Sequence, residues 1–432
     1  MPIPFLTSLY FDGPPSWFPE PWTLVKWTTA LGAVSLTKWY ASGRTCPSDR
    51  NMHGRVVIMT GGTSGIGAEV AYELARRGAQ LVLLTRHEPG DPFLVDYIDD
   101  LRARTKNQLI YAEQVDLASL HSIRKFATKW LDNAPPRRLD MIVLCAGTLA
   151  PPGTQRTETE EGIETIWQIN FLANFHLLAL LSPAIRAQPF DRDVRIVIPT
   201  CKSYISSPKL DDEMPKIQDR DKDKPTWTPQ RAYARSKLAL MTFARSYQKH
   251  LESNRKKSEE QLPLNARVIL VDPGLARTPG TRRWLTRGSL WGLLGYLLLY
   301  WFVWLLLKAP GMAAQSILFA AFDGEIMRRP GGRLIKECME VDCARADVDD
   351  EAVAKKLWET SDKMIEKYEW KGAYKRARER EEREEQEKIK EVEALVEAIK
   401  KGKEAQKKKE KEKKEKEREK KDGKKDNKGT TK

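Results

Sequence analysis

A tyrosine and a lysine four residues apart, Tyr233 and Lys237, are the side chains in this sequence best suited to proton transfer. They open a stretch with helical character, and residues four apart on a helix lie on one face. An ammonium beside a phenol favours phenolate and lowers a pKa that is otherwise about 10. We therefore expect Tyr233, with a lowered pKa, to give a proton to a carbonyl or take one from an alcohol. The alternative is that the two residues lie on a solvated helix face, because Tyr-x-x-x-Lys is common by chance in a chain rich in lysine.

A glycine-rich turn lies far upstream, between a short apolar run and a helical stretch. Glycines let such a turn tighten and let its backbone approach a pyrophosphate, and the following helix N-terminus offers free N–H groups. The strand-before, helix-after context is the one that this motif requires. The turn therefore predicts a dinucleotide site formed by Gly61, Thr63, Ser64, Gly65, Ile66 and Gly67.

The end of the next apolar run reads Thr85-Arg86-His87 and has no carboxylate. Sites that prefer NAD(H) place an acidic residue here for the ribose 2′-hydroxyl, whereas an arginine suits a 2′-phosphate. The sequence therefore predicts NADP(H) rather than NAD(H). The alternative is that Arg86 is a solvated surface cation.

Seven short apolar runs alternate with helical stretches from Arg55 onward. They lack period-two alternation, which is typical of strands buried on both faces. This order predicts an α/β fold, a Rossmann-type doubly wound parallel sheet of seven strands with helices on both faces. The predicted strands are 56–60, 80–85, 109–116, 141–146, 194–199, 267–272 and 332–336.

Together these motifs resemble the short-chain dehydrogenase/reductase family, in its retinol-dehydrogenase-like branch, and fungal oxidoreductases of membranes and lipid droplets. The family's Thr-Gly-x-x-x-Gly-Ile-Gly turn and Tyr-x-x-x-Lys pair are both present, and the likeness covers about residues 54–365. The resemblance implies an NADP(H)-dependent oxidoreductase that interconverts a lipophilic ketone or aldehyde and its alcohol. It also implies cofactor contacts from Asp116, Leu117, Ala146, Gly147, Asn170, Tyr233, Lys237, Pro273, Gly274 and Thr278.

The resemblance assigns Asn170 to a water-linked proton relay and expects a serine after the fifth strand. Cys201 stands at that offset instead, and a thiol is a poor donor. In an extended chain residues 201 and 203 project to the same side, so we predict Ser203 as the substitute donor. Cys145 likewise replaces the Asn of the family's Asn-Ala-Gly. These departures and the long tail motivate a second hypothesis, a catalytically silent relative that acts as a lipid-surface binding or scaffold protein.

Residues 289–307 contain no charged side chain and are long enough to cross a bilayer. A single crossing would separate the sixth strand from the seventh, although both must join one sheet. We therefore expect 289–308 to be a lid that lies in one leaflet or in a lipid-droplet monolayer and admits a lipophilic substrate. A buried lid or a homodimer interface is the alternative. The expected location is the cytosolic face of the endoplasmic reticulum or a lipid droplet.

Flanking segments differ in composition from the catalytic domain predicted at 54–370. The leader, 1–53, is rich in Pro and Trp, and its part 22–40 suits an interfacial anchor or a strap on the domain. The tail, 371–432, holds 25 basic and 17 acidic residues, a surplus of +8 within the net charge of +14, and is predicted to be partly helical or disordered. Because the basicity lies in the tail, we expect no nucleic-acid partner. The five scattered cysteines favour neither a metal site nor disulfides.

Overall fold

The computed structural model describes residues 20–426 apart from 134, 136, 190, 211–226 and 254–264. Residues 1–19 of the leader and most of the charged segment 206–229, which the sequence predicts to be a surface insertion, lie outside the described residues.

Eight strands form one sheet in the order β3-β2-β1-β4-β5-β6-β7-β8. The first seven are parallel, and each ends within two residues of its predicted bounds. They are β1 (Val56–Thr60), β2 (Gln80–Thr85), β3 (Ile110–Gln114), β4 (Met141–Leu144), β5 (Val194–Pro199), β6 (Ala266–Asp272) and β7 (Arg333–Lys336). The predicted α/β, Rossmann-type class is confirmed.

An eighth strand, β8 (Met339–Val341), pairs antiparallel with β7 and corrects the predicted total of seven. The turn between them places Glu337 and Cys338 at φ of 51° and 55°. Two consecutive left-handed residues are typical of the tight turns that close hairpins. This hairpin could not be predicted from the sequence, because Glu337 and Cys338 are not the Gly or Asn that such a turn prefers and β8 is only three residues long.

Helices cover both faces of the sheet. On one face α2, α3 and α10 bury residues such as Leu74, Leu94 and Ile317 against the strands. On the other, α5 and α6 contribute to an aromatic cluster in which Phe175 and Phe243 pack on Trp358. The helices are α1 (Pro21–Ser42), α2 (Gly65–Arg76), α3 (Pro92–Thr105), α4 (Leu120–Leu131), α5 (Thr165–Arg186), α6 (Pro229–Ser253), α7 (Pro279–Leu285), α8 (Leu290–Leu298), α9 (Tyr300–Leu306), α10 (Pro310–Phe322) and α11 (Glu351–Asp426).

The strand order reverses between β1 and β4, because β2 and β3 extend to one side of β1 and β4 to β7 to the other. In open parallel sheets the loops beyond the carboxyl ends of the strands separate at such a point and leave a crevice. Apart from Asn170, Tyr233 and Lys237, which lie on α5 and α6, the residues predicted to bind the cofactor follow the carboxyl ends of β1, β2, β3, β4 and β6.

The charge-free segment forms two short helices, α8 and α9, whose excursion from the domain begins and ends at the same place. The Arg277 N–H donates to the Lys308 carbonyl at 2.9 Å, and the Lys308 N–H donates to the Leu275 carbonyl at 3.0 Å. Because these bonds hold the two ends together, the segment does not make a single crossing. Among the described residues, the one helix long and apolar enough to cross a membrane is α5, which is mostly buried in the domain.

Residues Lys367–Lys432 form a second unit. Its described part, to Asp426, is one continuous, largely exposed helix. Ion pairs between residues four apart, such as Arg378–Glu382 at 2.9 Å and Glu397–Lys401 at 2.8 Å, stabilise a helix that buries little apolar surface.

Candidate active site

The glycine turn after β1 is tight enough to exclude side chains at two of its positions. Gly61 has φ of 67°, and a Cβ there would lie 2.7 Å from the Ala146 nitrogen. A Cβ on Gly67 would lie 2.1 Å from the Gly61 carbonyl oxygen. The Ala146 N–H donates to the Thr60 hydroxyl at 3.2 Å, which fixes the end of β4 beside the turn. Backbone, rather than side chain, therefore forms the wall of the crevice here.

The first turn of α2 leaves its N–H groups available to a ligand. Ser64, the N-cap residue, has extended backbone angles, and its side chain makes no capping hydrogen bond. The first N–H groups of a helix have no intrahelical acceptor, so those near Gly65 and Ile66 suit an anion. Thr278 lies against the opposite side of Gly65, where its Cβ and Cγ2 would be 3.5 Å from an added Cβ. This arrangement fits the pyrophosphate of a dinucleotide.

The ends of β2 and β3 lie side by side, because the Val115 N–H donates to the Thr85 carbonyl at 2.7 Å. Arg86 follows the buried Thr85 and is exposed. Asp116 is also exposed, and its carboxylate accepts from the Ala118 N–H at 2.9 Å. Leu117 follows and is half-buried. The predicted adenosine-contacting residues thus share one edge of the crevice.

Asn170 is fully buried and joins the end of β4 to the helix that holds Tyr233. Its side-chain oxygen accepts from the Thr148 N–H at 2.7 Å. Its side-chain nitrogen donates to the Thr148 carbonyl at 2.9 Å and to the Ser236 hydroxyl at 3.1 Å. Because this amide bonds both backbone groups of Thr148, it fixes the loop that begins with Ala146 and Gly147.

A π-helical turn, Gln168–Leu172, surrounds Asn170 inside α5. The Asn170 carbonyl accepts from the Asn174 side chain at 2.9 Å. A π-turn widens the helix locally and often occurs at functional sites. The sequence predicted a helical Asn here but gave no sign of the π-turn.

Tyr233 and Lys237 lie one turn apart on α6, with the Lys237 Nζ 5.8 Å from the Tyr233 ring centroid. The ammonium donates to the Pro199 carbonyl at 3.2 Å, which holds it at the end of β5. A Cβ on Gly147 would lie 3.9 Å from Nζ and 3.4 Å from the Asn170 side-chain oxygen. The structure therefore brings together Gly147, Asn170, Tyr233 and Lys237, as the sequence predicts.

The electrostatics of the pair differ from the sequence-based expectation. Burial raises the pKa of Tyr233 well above its ordinary value, and Cys201 beside it raises that pKa further. Burial also lowers the pKa of Lys237. The predicted lowering of the Tyr233 pKa is therefore wrong for this structure, because the loss of hydration on burial has the largest influence on the phenol. A phenol in this state stays protonated at neutral pH, which suits a proton donor.

The segment after β5 turns where the sequence analysis assumed an extended chain. Cys201 is extended, and a 3₁₀ helix, Lys202–Ser206, begins at the next residue. The Cys201 thiol lies 3.7 Å from the Tyr233 hydroxyl, and the Ser203 hydroxyl lies 2.8 Å from the Cys201 sulfur. Cys201 is thus the neighbour of Tyr233, and the geometric reason given for Ser203 was wrong. The role of Ser203 as donor stays a prediction.

The segment Pro273-Gly274 packs against a partly buried ion pair between Lys308 and Glu337. Gly274 has φ of 77°, and its N–H donates to the Asp272 carboxylate at 3.0 Å. A Cβ there would lie 3.2 Å from the Lys308 side chain, which pairs with Glu337. No motif in the sequence singled out Lys308, Thr148 or Ser236. Of these, Ser236 alone had a signal, since it lies on the same helix as Tyr233 and Lys237.

Comparisons with known proteins bear on this geometry. The sequence profile of the short chain dehydrogenases matches residues 55–197. An uncharacterised oxidoreductase, pbr1 of Schizosaccharomyces pombe, is 45% identical over 79% of this chain and 89% of its own. Human dehydrogenase/reductase SDR family member 13 is 32% identical over 77% of this chain and 79% of its own. The chain belongs to the short-chain dehydrogenase/reductase family.

Other relatives and one solved structure agree with this assignment. Human retinol dehydrogenase 13 is 30% identical over 78% of this chain and 92% of its own, and mouse polyprenol dehydrogenase is 31% identical over 71% and 82%. A crystal structure from Mycobacterium paratuberculosis has a TM-score of 0.51 at 23% identity and covers 75% of this chain and 98% of its own, which shows the same fold. The protein is therefore an oxidoreductase whose fold implies a nicotinamide cofactor.

Proposed function

We propose that this short-chain dehydrogenase/reductase uses NADP(H) to interconvert a lipophilic ketone or aldehyde and its alcohol, with Tyr233 as the acid and base. The proposal depends on one observation above all. The glycine turn contacts Ala146, and the next residue, Gly147, lies beside both Asn170 and Lys237, so the turn that would hold the dinucleotide adjoins the residues proposed to transfer the proton.

In this proposal a bound nicotinamide would supply or accept the hydride, and protein side chains donate or accept the proton. Tyr233, protonated at neutral pH, gives its proton to the carbonyl oxygen during reduction. Lys237 places a positive charge 5.8 Å from the centre of the phenol ring, and we assign its ammonium to the nicotinamide ribose as well. Cys201 and Ser203 form a bonded pair beside Tyr233, and we assign the stronger donor, the Ser203 hydroxyl, to the substrate oxygen.

Two features support the finer assignments of cofactor and substrate. Arg86 is exposed beside Asp116 at the adenosine end of the crevice and can pair with a 2′-phosphate in a fork geometry. The names of two relatives, retinol dehydrogenase and polyprenol dehydrogenase, refer to lipophilic alcohols. The lid formed by α8 and α9 exposes large apolar side chains, which favours substrate entry from a membrane on the cytosolic face of the endoplasmic reticulum or from a lipid droplet.

Replacing Tyr233 by Phe tests the proposal. Loss of the proton donor should lower kcat for NADPH-dependent reduction of long-chain aldehydes and ketones by about 10²- to 10⁴-fold. The matched control is Tyr247→Phe, on the same helix, which removes a buried hydroxyl that donates to the Leu178 carbonyl away from the crevice. It should retain near wild-type turnover, and both variants should still bind NADPH.

The competing hypothesis, a catalytically silent relative, gives a different pattern. It draws support from Cys201, which occupies the place where the family has serine. A wild-type protein that binds NADPH yet reduces none of the hydrophobic carbonyls would favour it. Equal turnover by wild type and Tyr233→Phe would remove Tyr233 from the mechanism.

A further inference from the structure

Helix α1 exposes apolar side chains around most of its circumference. Trp27, Leu36, Trp39 and Tyr40 are 69%, 68%, 77% and 82% exposed. In its middle and C-terminal turns the half-buried residues form one stripe, Val34, Lys38, Ala41 and Ser42, at spacings of three or four residues. A helix that is apolar nearly all round is stable in a folded protein only when something covers it.

Helices α8 and α9 present the same kind of surface. Leu290, Trp291 and Leu298 are 86%, 83% and 77% exposed, and Trp301 and Phe302 are about half exposed at 50% and 55%. A fully exposed aromatic side chain presents about 200 Å². The exposed aromatics of α1, α8 and α9 therefore total on the order of 1,000 Å², against the few hundred Å² of the largest apolar patch on an ordinary monomer.

Lys38 joins the two surfaces. Its ammonium donates to the Trp304 carbonyl at 2.6 Å and also reaches the Leu307 carbonyl at 3.4 Å, both at the C-terminus of α9. It also lies 4.9 Å from the centre of the Trp304 ring. A cation is favourable at a helix C-terminus, where carbonyls lack intrahelical donors. The bond fixes α1 beside the lid across 266 residues of sequence.

Basic residues predominate along this joined surface, whose acidic neighbours include Glu20 at the N-terminus of α1 and Glu337, which pairs with Lys308. Residues 21–48 contain three basic and no acidic residues, and residues 273–322 contain five basic and no acidic residues. Lys26, Arg282, Arg283 and Arg287 are exposed, and none of them forms an ion pair within the described part of the chain. An apolar surface bordered by cations complements a lipid leaflet with anionic headgroups.

We propose that α1 and the α8–α9 lid form one composite docking surface for an anionic lipid leaflet, held together by Lys38. The inference rests on the proposed function for its membrane setting and adds the leader helix, the headgroup chemistry and the joining residue. The charge pattern decides the occupant, because a second copy of the chain would bring like charges together, whereas phosphatidylserine or another anionic lipid neutralises them. Trp and Tyr near the ends of both segments suit the headgroup region.

Flotation of the full-length protein with vesicles tests the proposal without substrate or cofactor. Vesicles of phosphatidylcholine alone are compared with vesicles that contain phosphatidylserine. Wild type should bind both and prefer the anionic ones, with the preference falling as salt rises. The triple variant Arg282→Gln, Arg283→Gln, Arg287→Gln should lose about fivefold per arginine, or about 100-fold, on anionic vesicles only. Equal binding of wild type to both vesicle types would overturn the headgroup assignment.

Two further sets of variants test the composite surface. The pairs Trp27→Ser with Trp39→Ser, and Trp291→Ser with Trp301→Ser, should each weaken binding to both vesicle types by at least about tenfold. Lys38→Met and Lys26→Met remove one charge each, but only the first breaks the joint. On neutral vesicles Lys38→Met should therefore bind more weakly while Lys26→Met matches wild type.

Several outcomes would refute the inference. If either double tryptophan variant binds vesicles as well as wild type, one segment docks alone. If Lys38→Met and Lys26→Met bind neutral vesicles equally, Lys38 does not hold the two segments together for docking. A wild-type protein that ignores vesicles and dissociates from dimer to monomer in the tryptophan variants would identify a second copy as the occupant. The thermal unfolding temperature of each variant, compared with that of wild type, shows whether weaker vesicle binding reflects loss of the docking surface or loss of the folded state. Docking by a protein that reduces no carbonyl would contradict only the proposed function.

Discussion

Replacing Arg86 by Asp should reverse the cofactor preference of the protein. Arg86 is exposed at the end of β2, directly after the buried Thr85. Register pairs Thr85 with Gln114 on β3, so the residues that follow both strands border the same part of the crevice. Residues 84–87 contain no carboxylate to accept from a ribose 2′-hydroxyl. The substitution supplies that acceptor and removes the cation in one step.

The magnitude follows from two contributions. A hydrogen bond to a charged group contributes about 1.5–3 kcal/mol, and the exposure of Arg86 favours the lower end, which corresponds to about tenfold in Kd for NADPH. A carboxylate about 4 Å from a phosphate costs about 1 kcal/mol in water and about 4 kcal/mol at an effective dielectric constant of 20. Together they predict at least about a 50-fold loss of NADPH affinity in Arg86→Asp.

Fluorescence titration of wild type, Arg86→Gln and Arg86→Asp with NADPH and NADH measures these effects. Arg86→Gln removes the cation without adding a carboxylate, so its affinity for NADPH should lie between those of wild type and Arg86→Asp. Affinity for NADH should stay constant or rise in Arg86→Asp. Added salt should narrow the difference in NADPH affinity between wild type and Arg86→Asp, because the charges at this exposed site are screened. Wild-type preference for NADH, or unchanged NADPH affinity in Arg86→Asp, would refute the reasoning.

Two further substitutions test the site. Cys201→Ser should raise kcat for carbonyl reduction several-fold, because it adds a second hydroxyl donor, beside that of Ser203, at the position that lies 3.7 Å from the Tyr233 hydroxyl. Cys201→Ala should lower kcat, because it removes the side chain to which the Ser203 hydroxyl is bonded. A serine variant slower than the alanine variant would contradict this order. Gly67→Ala should weaken NADPH binding by more than about tenfold, because its Cβ would lie 2.1 Å from the Gly61 carbonyl oxygen and must displace the turn. Gly90→Ala, where an added Cβ meets nothing within 4 Å, is the control, and equal NADPH affinity of the two alanine variants would refute the cradle geometry.

The sequence alone predicted the seven parallel strands and the placement of Tyr233 beside Lys237. Strands such as β1 and β5 are buried along their whole length, and such strands are read directly from continuous apolar runs. The glycine turn and the Tyr233–Lys237 spacing were equally legible, because short-range backbone geometry dictates both. Continuity of the chain through one sheet was sufficient to predict that the charge-free segment returns to the domain.

Tertiary structure alone decided the features that depend on residues distant in sequence. The direction of the Tyr233 pKa depends on how deeply the fold buries the phenol, and sequence spacing contains no measure of burial. Whether Cys201 or Ser203 faces Tyr233 depends on a 3₁₀ turn that no local pattern announced. The bond from Lys38 to the end of α9 joins groups 266 residues apart. Hydration and long-range contact are properties of the packed chain, so they could not be predicted from the order of its residues.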